Sequence, residues 1–155
     1  MKKIGQILLF LILLLSLTSC VKHIEDTNGD TNYSLEVITK ENMLEGIPTV
    51  TLGRKIVRKN NEYKCSIKKL SGVDELYKGS FRNEDVAVTL SNSIESGNAK
   101  IILVYNDIVI KEFMLNSENQ IISLSNTKGE IRIIVAGESA KISVEFTVES
   151  EKSIF

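Results

Sequence analysis

The chain has 155 residues, and its 19 basic and 20 acidic side chains give a formal net charge of −1. This balance disfavours a nucleic-acid-binding protein, because such proteins normally carry a clear basic excess or a basic patch. Two cysteines, one histidine and no tryptophan leave few residues for disulfides, metal sites or histidine-dependent catalysis.

Residues 1–19 have the pattern of a secretory signal peptide. Two lysines precede an apolar run over residues 4–15, and small polar residues follow it. The run is shorter than the roughly 20 apolar residues that a membrane-spanning helix needs. We therefore expect residues 1–19 to be removed on export.

The signal ends in "LTSC", from Leu17 to Cys20. This tetrapeptide resembles the lipobox of bacterial lipoproteins. The resemblance implies that the Cys20 thiol receives a diacylglycerol group, that cleavage precedes Cys20, and that two or more acyl chains, palmitate among them, then hold the protein firmly on the membrane. It also implies a location outside the cytoplasm. The alternative is a plain signal peptide with a chance cysteine.

The mature chain would have 155 − 19 = 136 residues, with 17 basic and 20 acidic side chains, enough for one domain with its own core. Residues 20–32 lack periodicity and are rich in Asn, Asp, Thr and Gly, which is typical of a tether. The domain is therefore expected over residues 33–155.

Acidic and amide side chains alternate from Asp26 to Asn32, as in an EF-hand loop. However, Thr31 stands where the loop needs glycine, and Val37 stands where it needs a bidentate glutamate. The sequence therefore predicts no calcium site. Further along, residues 41–45 predict one helical turn, which Gly46 ends and Pro48 prevents from continuing.

Most of the remaining chain shows period-two alternation. In "KISVEFTVE", the apolar residues from Ile142 to Val148 alternate with polar ones, which indicates a strand with one buried face. The sequence predicts an all-β, antiparallel two-sheet β-sandwich, immunoglobulin-like or jelly-roll-like, of about nine strands. The strands are expected near Tyr33, Val50, Ile56, Cys65, Val88, Leu103, 109–113, 122–134 (which has room for two) and Phe146.

Several turns are predicted between these strands. Asn106-Asp107 and Asn60-Asn61 have the composition of two-residue hairpins. Lys128-Gly129 and "GESA" at 137–140 are expected to separate the last strands. The segment "KIILVY" is apolar on both faces, so residues 101–105 are expected to form a central strand that is covered on each side.

Cys65 shares a strand face with Tyr63 and Ile67. We expect it to pack in the core, since only neighbouring lysines could lower its pKa. With Cys20 consumed by lipid, no disulfide is expected.

The residues offer little for catalysis. His23 lies in the tether, where no rigid element would support a catalytic pair. Two S-x-x-K matches begin at Ser66 and Ser125, but residues three apart in a strand point to opposite faces. The acidic pairs that begin at Asp74 and Glu84 are read as surface charge. No HxH or CxxC motif is present, so we expect no metal, no cofactor and no enzyme activity.

Residues 71–85 form the longest segment without strand character, and they contain Tyr77, Phe81 and Arg82. Binding residues are often displayed on loops, so these three are the candidate binding residues. The alternative is that the two rings plug an open end of the sandwich.

Three hypotheses follow. The first is a non-catalytic, membrane-anchored lipoprotein that binds a protein partner. The second is a glycan- or peptidoglycan-binding module, which would need two aromatic rings exposed together. The third is an enzyme of unfamiliar type, which would need one of the named serines or acids in a pocket.

Overall fold

The computed structural model describes residues 34–36 and 38–152. The predicted signal peptide, Cys20, the tether with His23 and the strand near Tyr33 all lie outside these residues. The described chain contains helix α1 (Lys40–Glu45) and strands β1 (Val50–Leu52), β2 (Lys55–Lys59), β3 (Glu62–Tyr105), β4 (Ile108–Glu112) and β5 (Gln120–Lys152). Within this part of the chain, no helix is long and apolar enough to cross a membrane.

The strands form one continuous antiparallel sheet, in which β3 pairs with all four other strands. This confirms the all-β, antiparallel character that the period-two pattern predicts. The two predicted hairpins are also confirmed. Tyr105 pairs with Ile108 across Asn106 and Asp107, which have φ values of 47° and 61°, and Lys59 pairs with Glu62 across the other turn.

The two long strands, β3 and β5, pair with each other twice. In one ladder, residues 62–90 pair with 120–147; in the other, residues 84–105 pair with 131–152. Ile142 therefore lies between Ile67 on one side and Ile94 on the other. The two-stranded ribbon thus coils back on itself, and its late part becomes the neighbour of its early part.

Three segments predicted as loops or turns are strand instead, and those predictions were wrong. Residues 71–85, with Tyr77, Phe81 and Arg82, lie within β3, while Lys128-Gly129 and residues 137–140 lie within β5. The turn-like residues bend a strand without ending it. Gly129, for example, has a φ of 121° yet remains paired with Phe81, because glycine adopts such angles without steric cost. Five unbroken strands therefore stand where about nine shorter ones were predicted.

The bends divide the coiled ribbon into two halves. We define the open half as residues 62–70, 84–94 and 140–151, and the covered half as residues 72–82, 99–105 and 128–137. Register shifts between them fall at Leu70/Gly72 and Ser96/Asn98. Both halves contribute to one main core, which includes Ile67, Leu90, Ile142, Ile101, Leu103 and Ile133.

The covered half has a second buried face. Ile102, Val104, Ile134 and Ala136 pack there against Ile38 and Met43, which belong to the segment that contains α1. Residues 101–104 are accordingly buried on both faces, which confirms the predicted central strand. The predicted helical turn at 41–45 is confirmed as well.

Local capping explains why α1 forms where it does. Thr39 and Asn42 form a capping box: the Asn42 amide donates to Thr39 Oγ1, and the Thr39 amide donates to Asn42 Oδ1. At the other end Gly46 has a φ of 82°, a value that favours glycine. The short helix thus holds Met43 against the sheet.

Candidate binding surface

The outer face of the open half is a polar surface that no other described element covers. Strand alternation points Cys65, Leu90 and Val144 into the main core and turns the intervening residues outward. We call this surface the polar face; it comprises Glu62, Lys64, Ser66, Asp85, Thr89, Ser91, Ser123, Ser125, Ser143, Glu145, Thr147, Glu149 and Glu151.

Three open cavities lie on the polar face. One of about 220 Å³ and one of about 240 Å³ share Lys64 and Glu145 in their walls. A third, of about 290 Å³, is lined by residues that include Asp85, Ser123 and Glu149. Small serine and threonine side chains form much of their floor, so the face is shallow and open.

Charges on and beside the polar face are separated by sign. Lys55 and Lys59 lie on the edge strand β2, next to Ser66 and Glu62 respectively. Acidic side chains gather at the other end, around Asp85, Glu149 and Glu151. Between the two regions, Lys64 Nζ donates to Glu145 Oε2 at 2.9 Å, and this hydrogen bond raises the pKa of Lys64. An exposed pair of this kind contributes little to stability, so its charges remain available to a partner.

The aromatic rings of the open half lie on its inner side. Tyr63 stacks on Phe146 with ring centroids 4.8 Å apart, and Tyr77 meets Tyr63 edge-on at 5.3 Å. The Arg58 guanidinium lies over the Tyr63 ring, 5.3 Å from its centroid. The rings thus contact one another and Arg58, and Tyr63 and Tyr77 are only partly exposed.

The three residues predicted as a binding site do not form a common surface. Tyr77 is half-buried, and burial raises its pKa. Phe81 is 9% exposed and belongs to the main core, whereas its neighbour Arg82 is exposed. Consecutive residues of a strand point to opposite faces, which separates Arg82 from both rings. The arrangement agrees with the alternative interpretation, in which the rings pack into the domain.

Gly79 explains the position of the Tyr77 ring. A Cβ atom at residue 79 would lie 2.2 Å from Tyr77 Oη, so only glycine leaves room for the phenol. The ring consequently folds back along its own strand toward Tyr63 and Phe146. The sequence contained this signal in the spacing of an aromatic residue and a glycine on one strand face.

Cys65 is buried in the main core, 4% exposed, which confirms the packing interpretation. Burial raises the pKa of its thiol to about 11. The thiolate, which is the reactive form, is therefore scarce near neutral pH. Cys65 acts as a small apolar side chain.

The acidic pairs have structural partners. Asp74 forms an ion pair with Arg54 at 2.7 Å, and Glu75 lies 3.8 Å from Arg132. Asp85 Oδ1 accepts a hydrogen bond from the Asn126 amide at 2.8 Å. In residues 34–36 and 38–152, no three His, Cys, Asp or Glu side chains are grouped in a way that could hold a metal ion.

Comparison with known proteins gives no family: no family model matches the chain, and no curated protein does. Among solved structures, it is similar to the secreted serine protease VesC from Vibrio cholerae, with a TM-score of 0.46 and 12% identity over 80% of this chain. That alignment spans 28% of the VesC chain. The chain is also similar to the carbohydrate-binding module CBM36 in complex with calcium and xylotriose, with a TM-score of 0.34 and 18% identity over 68% of this chain and 100% of the module. Both TM-scores lie below 0.5, and neither neighbour's activity or ligand is carried over.

Proposed function

We propose that this chain is a non-catalytic lipoprotein of the cell envelope, anchored through Cys20, which binds a protein partner on the polar face of its β domain. The observation that supports this most is the polar face itself. It is the broad sheet surface that the described chain leaves uncovered, whereas α1 and its flanking residues cover the matching surface of the covered half.

The chemistry of the polar face suits a protein partner. Its lysines and acids are separated by sign, so a partner with the opposite arrangement would be oriented on it by complementary charge. Its cavities are shallow and open, as in an interface that excludes water by matching shape. The partner is expected to present acids opposite β2 and basic residues opposite Glu149 and Glu151.

A glycan ligand is less well supported. The glycan hypothesis needs two aromatic rings exposed together, but Tyr63 and Tyr77 are half-buried and contact each other. On the strands of the open half, the aromatic residues are Tyr63 and Phe146, and both pack on the main core. A sugar on the polar face would meet hydroxyls and charges without a ring to stack on.

We also infer that the coiled ribbon is a two-layer sandwich, with the open half as one layer and the covered half as the other. Support comes from the main core, where Ile142 and Leu90 of the open half pack in one cluster with Ile133 and Leu103 of the covered half. A jelly-roll-like arrangement follows naturally when a long antiparallel ribbon folds over itself.

The anchor can be tested in the organism that makes the protein. Cys20→Ala should move the protein from the membrane fraction to the soluble fraction, because the lipid acceptor is lost. The Cys65→Ala variant is the control, since its thiol is buried and should leave the membrane fraction unchanged. Equal membrane retention in both variants would contradict lipid anchoring.

The partner can be tested by photo-crosslinking in the same cells. A photoreactive residue at Ser91, on the polar face, should give one discrete adduct, whereas the same residue at exposed Glu41 on α1 should not. Lys64→Glu should weaken that adduct. The Lys64→Glu/Glu145→Lys double variant should stay weak although it can restore the internal ion pair, because the partner still meets reversed charges.

Adduct formation that is equal at Ser91 and Glu41 would contradict a partner on the polar face. Full recovery in the double variant would show that the ion pair serves the fold and not recognition.

A further inference from the structure

Exposed apolar side chains are concentrated on one edge of the sheet. Seven large apolar residues are exposed in the described chain, and five of them fall between residues 108 and 121. The five, which we call the apolar edge, are Ile108, Ile110, Met114, Leu115 and Ile121. Ile108, Met114 and Ile121 are more than 60% exposed. Single exposed apolar residues need no explanation, but a group along one edge indicates a contact surface.

The apolar edge follows the unpaired side of the sheet. β4 pairs with residues 102–105, and the start of β5 pairs with Leu90 and the residues before it. In residues 34–36 and 38–152, no strand pairs with the other side of β4. Across one row of the sheet the order is Lys59, Glu62, Thr147, Thr89 and Ile121, so the apolar edge lies opposite the edge formed by β2.

The centre of this edge is held in place by side-chain hydrogen bonds. Asn92 Nδ2 donates to the Met114 carbonyl at 2.8 Å, and the Asn116 amide donates to Asn92 Oδ1 at 2.9 Å. The Met114 amide donates to Gln120 Oε1 at 2.8 Å. The loop therefore presents Met114 and Leu115 to solvent in a defined geometry.

The described chain begins beside the same edge. Ser34 and Leu35 line an open cavity of about 670 Å³ together with Leu115 and Asn116. Leu35 is held there: its carbonyl accepts from Lys100 Nζ at 3.4 Å, and its amide donates to Glu138 Oε2 at 3.5 Å. Residues 21–33 number 13, which span at most about 45 Å when fully extended. An anchor at Cys20 would thus keep this edge close to the bilayer.

We propose that the apolar edge rests on the membrane to which the protein is anchored, with the lipid surface as its partner. This inference rests on the proposed lipid anchor. Because the anchor already confines the domain, its effective concentration at the bilayer is on the order of millimolar, and a weak contact suffices to populate the docked state. The side chains enter the boundary between headgroups and acyl chains, to a depth of about 5–10 Å.

Charge contributes little to this contact. Between residues 107 and 121 the acids are Asp107, Glu112 and Glu118, against the single base Lys111, and Asp107 is already paired with Arg132 at 2.7 Å. A slightly acidic edge is not attracted to anionic lipids. The contact is therefore apolar, occurs on phosphatidylcholine, and does not weaken as salt is raised.

The test uses an environment-sensitive dye on the full, lipidated chain in phosphatidylcholine vesicles. Met114→Cys carries the dye on the apolar edge, and Ser66→Cys carries it on the polar face as a matched control. Cys65 is buried with a raised thiol pKa, so it labels little in either variant. The mass of the mature protein is measured first, to establish acylation at Cys20.

We expect the emission of the Met114 dye to shift to shorter wavelength on vesicles and to lose intensity with spin-labelled lipids. The Ser66 dye should do neither, and added salt should change neither result. A lipidated chain whose Met114 dye stays unquenched overturns the inference alone, including the case of a wavelength shift without quenching, which would mark a second copy or another protein on the edge. An unmodified Cys20 overturns the anchor and the inference together. Loss of quenching on raising salt would overturn the apolar contact.

Discussion

The two halves of this domain differ in how many of their faces are buried. In the covered half, consecutive residues such as Ile133 and Ile134 are both fully buried, because one faces the main core and the other faces Ile38 and Met43. In the open half, buried Val144 and Phe146 alternate with outward-facing Ser143 and Glu145. One ribbon thus serves as a structural core where a second element covers it and as a displayed surface where none does.

The largest expected effect comes from substitutions that separate the two cores. Ile133→Ala should lower the free energy of unfolding by about 3–5 kcal/mol, because it leaves a cavity between two layers of sheet. Ile134→Ala should cost less, about 2 kcal/mol, because the short segment around α1 can settle into the space. Urea denaturation of the two variants would measure both values. A larger loss for Ile134→Ala would contradict the comparison.

The junction between the halves should be the next most sensitive site. Gly97 has a φ of 73°, and a Cβ there would lie 2.6 Å from the carbonyl oxygens of Glu138 and Ser139. Gly97→Ala should therefore destabilise the fold by about 1–3 kcal/mol. Gly46→Ala is the control, since its φ of 82° is similar but no atom lies within 4 Å of the new Cβ. Equal thermal unfolding of both variants would mean that the close approach costs nothing.

A smaller effect is expected from the cap that holds the covering segment. Thr39→Ala removes the side chain that accepts the Asn42 amide, and should cost about 1 kcal/mol. Thr39→Ser retains the oxygen and should change little. Hydrogen exchange should show the loss around Ile102 and Ile134 and not in residues 142–148. Uniform loss over both halves would argue against a separate role for this segment.

The smallest effect concerns the thiol inside the main core. The pKa of Cys65 is raised from 9.0 to about 11 in the folded protein. Below pH 9 the thiol is protonated in both states, but between about pH 9 and pH 11 only the unfolded thiol loses its proton. The free energy of unfolding should therefore fall as pH rises through this window, and less steeply in Cys65→Ala. Identical slopes in urea titrations would contradict the burial of an uncharged thiol.

Local pattern was a reliable guide wherever neighbours in sequence decide the outcome. The alternation from Ile142 to Val148, the hairpin at Asn106-Asp107 and the helical turn ended by Gly46 were all predicted, because strand pleat, positive φ and capping are properties of a few residues. The two-sided burial of residues 101–104 was predicted too, since a run without polar residues leaves no face for water.

Prediction failed where one residue type serves two purposes. Glycine and polar residues at 71–85 and 128–129 resemble turns, but in β3 and β5 they are bends within paired strands. The choice between a turn and a bend depends on whether a partner strand lies alongside, and that partner is more than 40 residues away in sequence. The candidate residues Tyr77, Phe81 and Arg82 were chosen for a loop, and so were assigned to a surface they do not share.

The sequence by itself determined that this protein is an antiparallel β domain with a packed Cys65, and it carries the lipobox-like end of its predicted signal. Only the tertiary structure decided which strands lie side by side, and hence that Lys64, Ser91 and Glu145 share one polar face while five apolar residues share one edge. The physical reason is that alternation assigns each side chain to a face through local backbone geometry. Which strand becomes a neighbour is decided by long-range hydrogen bonding and by the burial of a shared core.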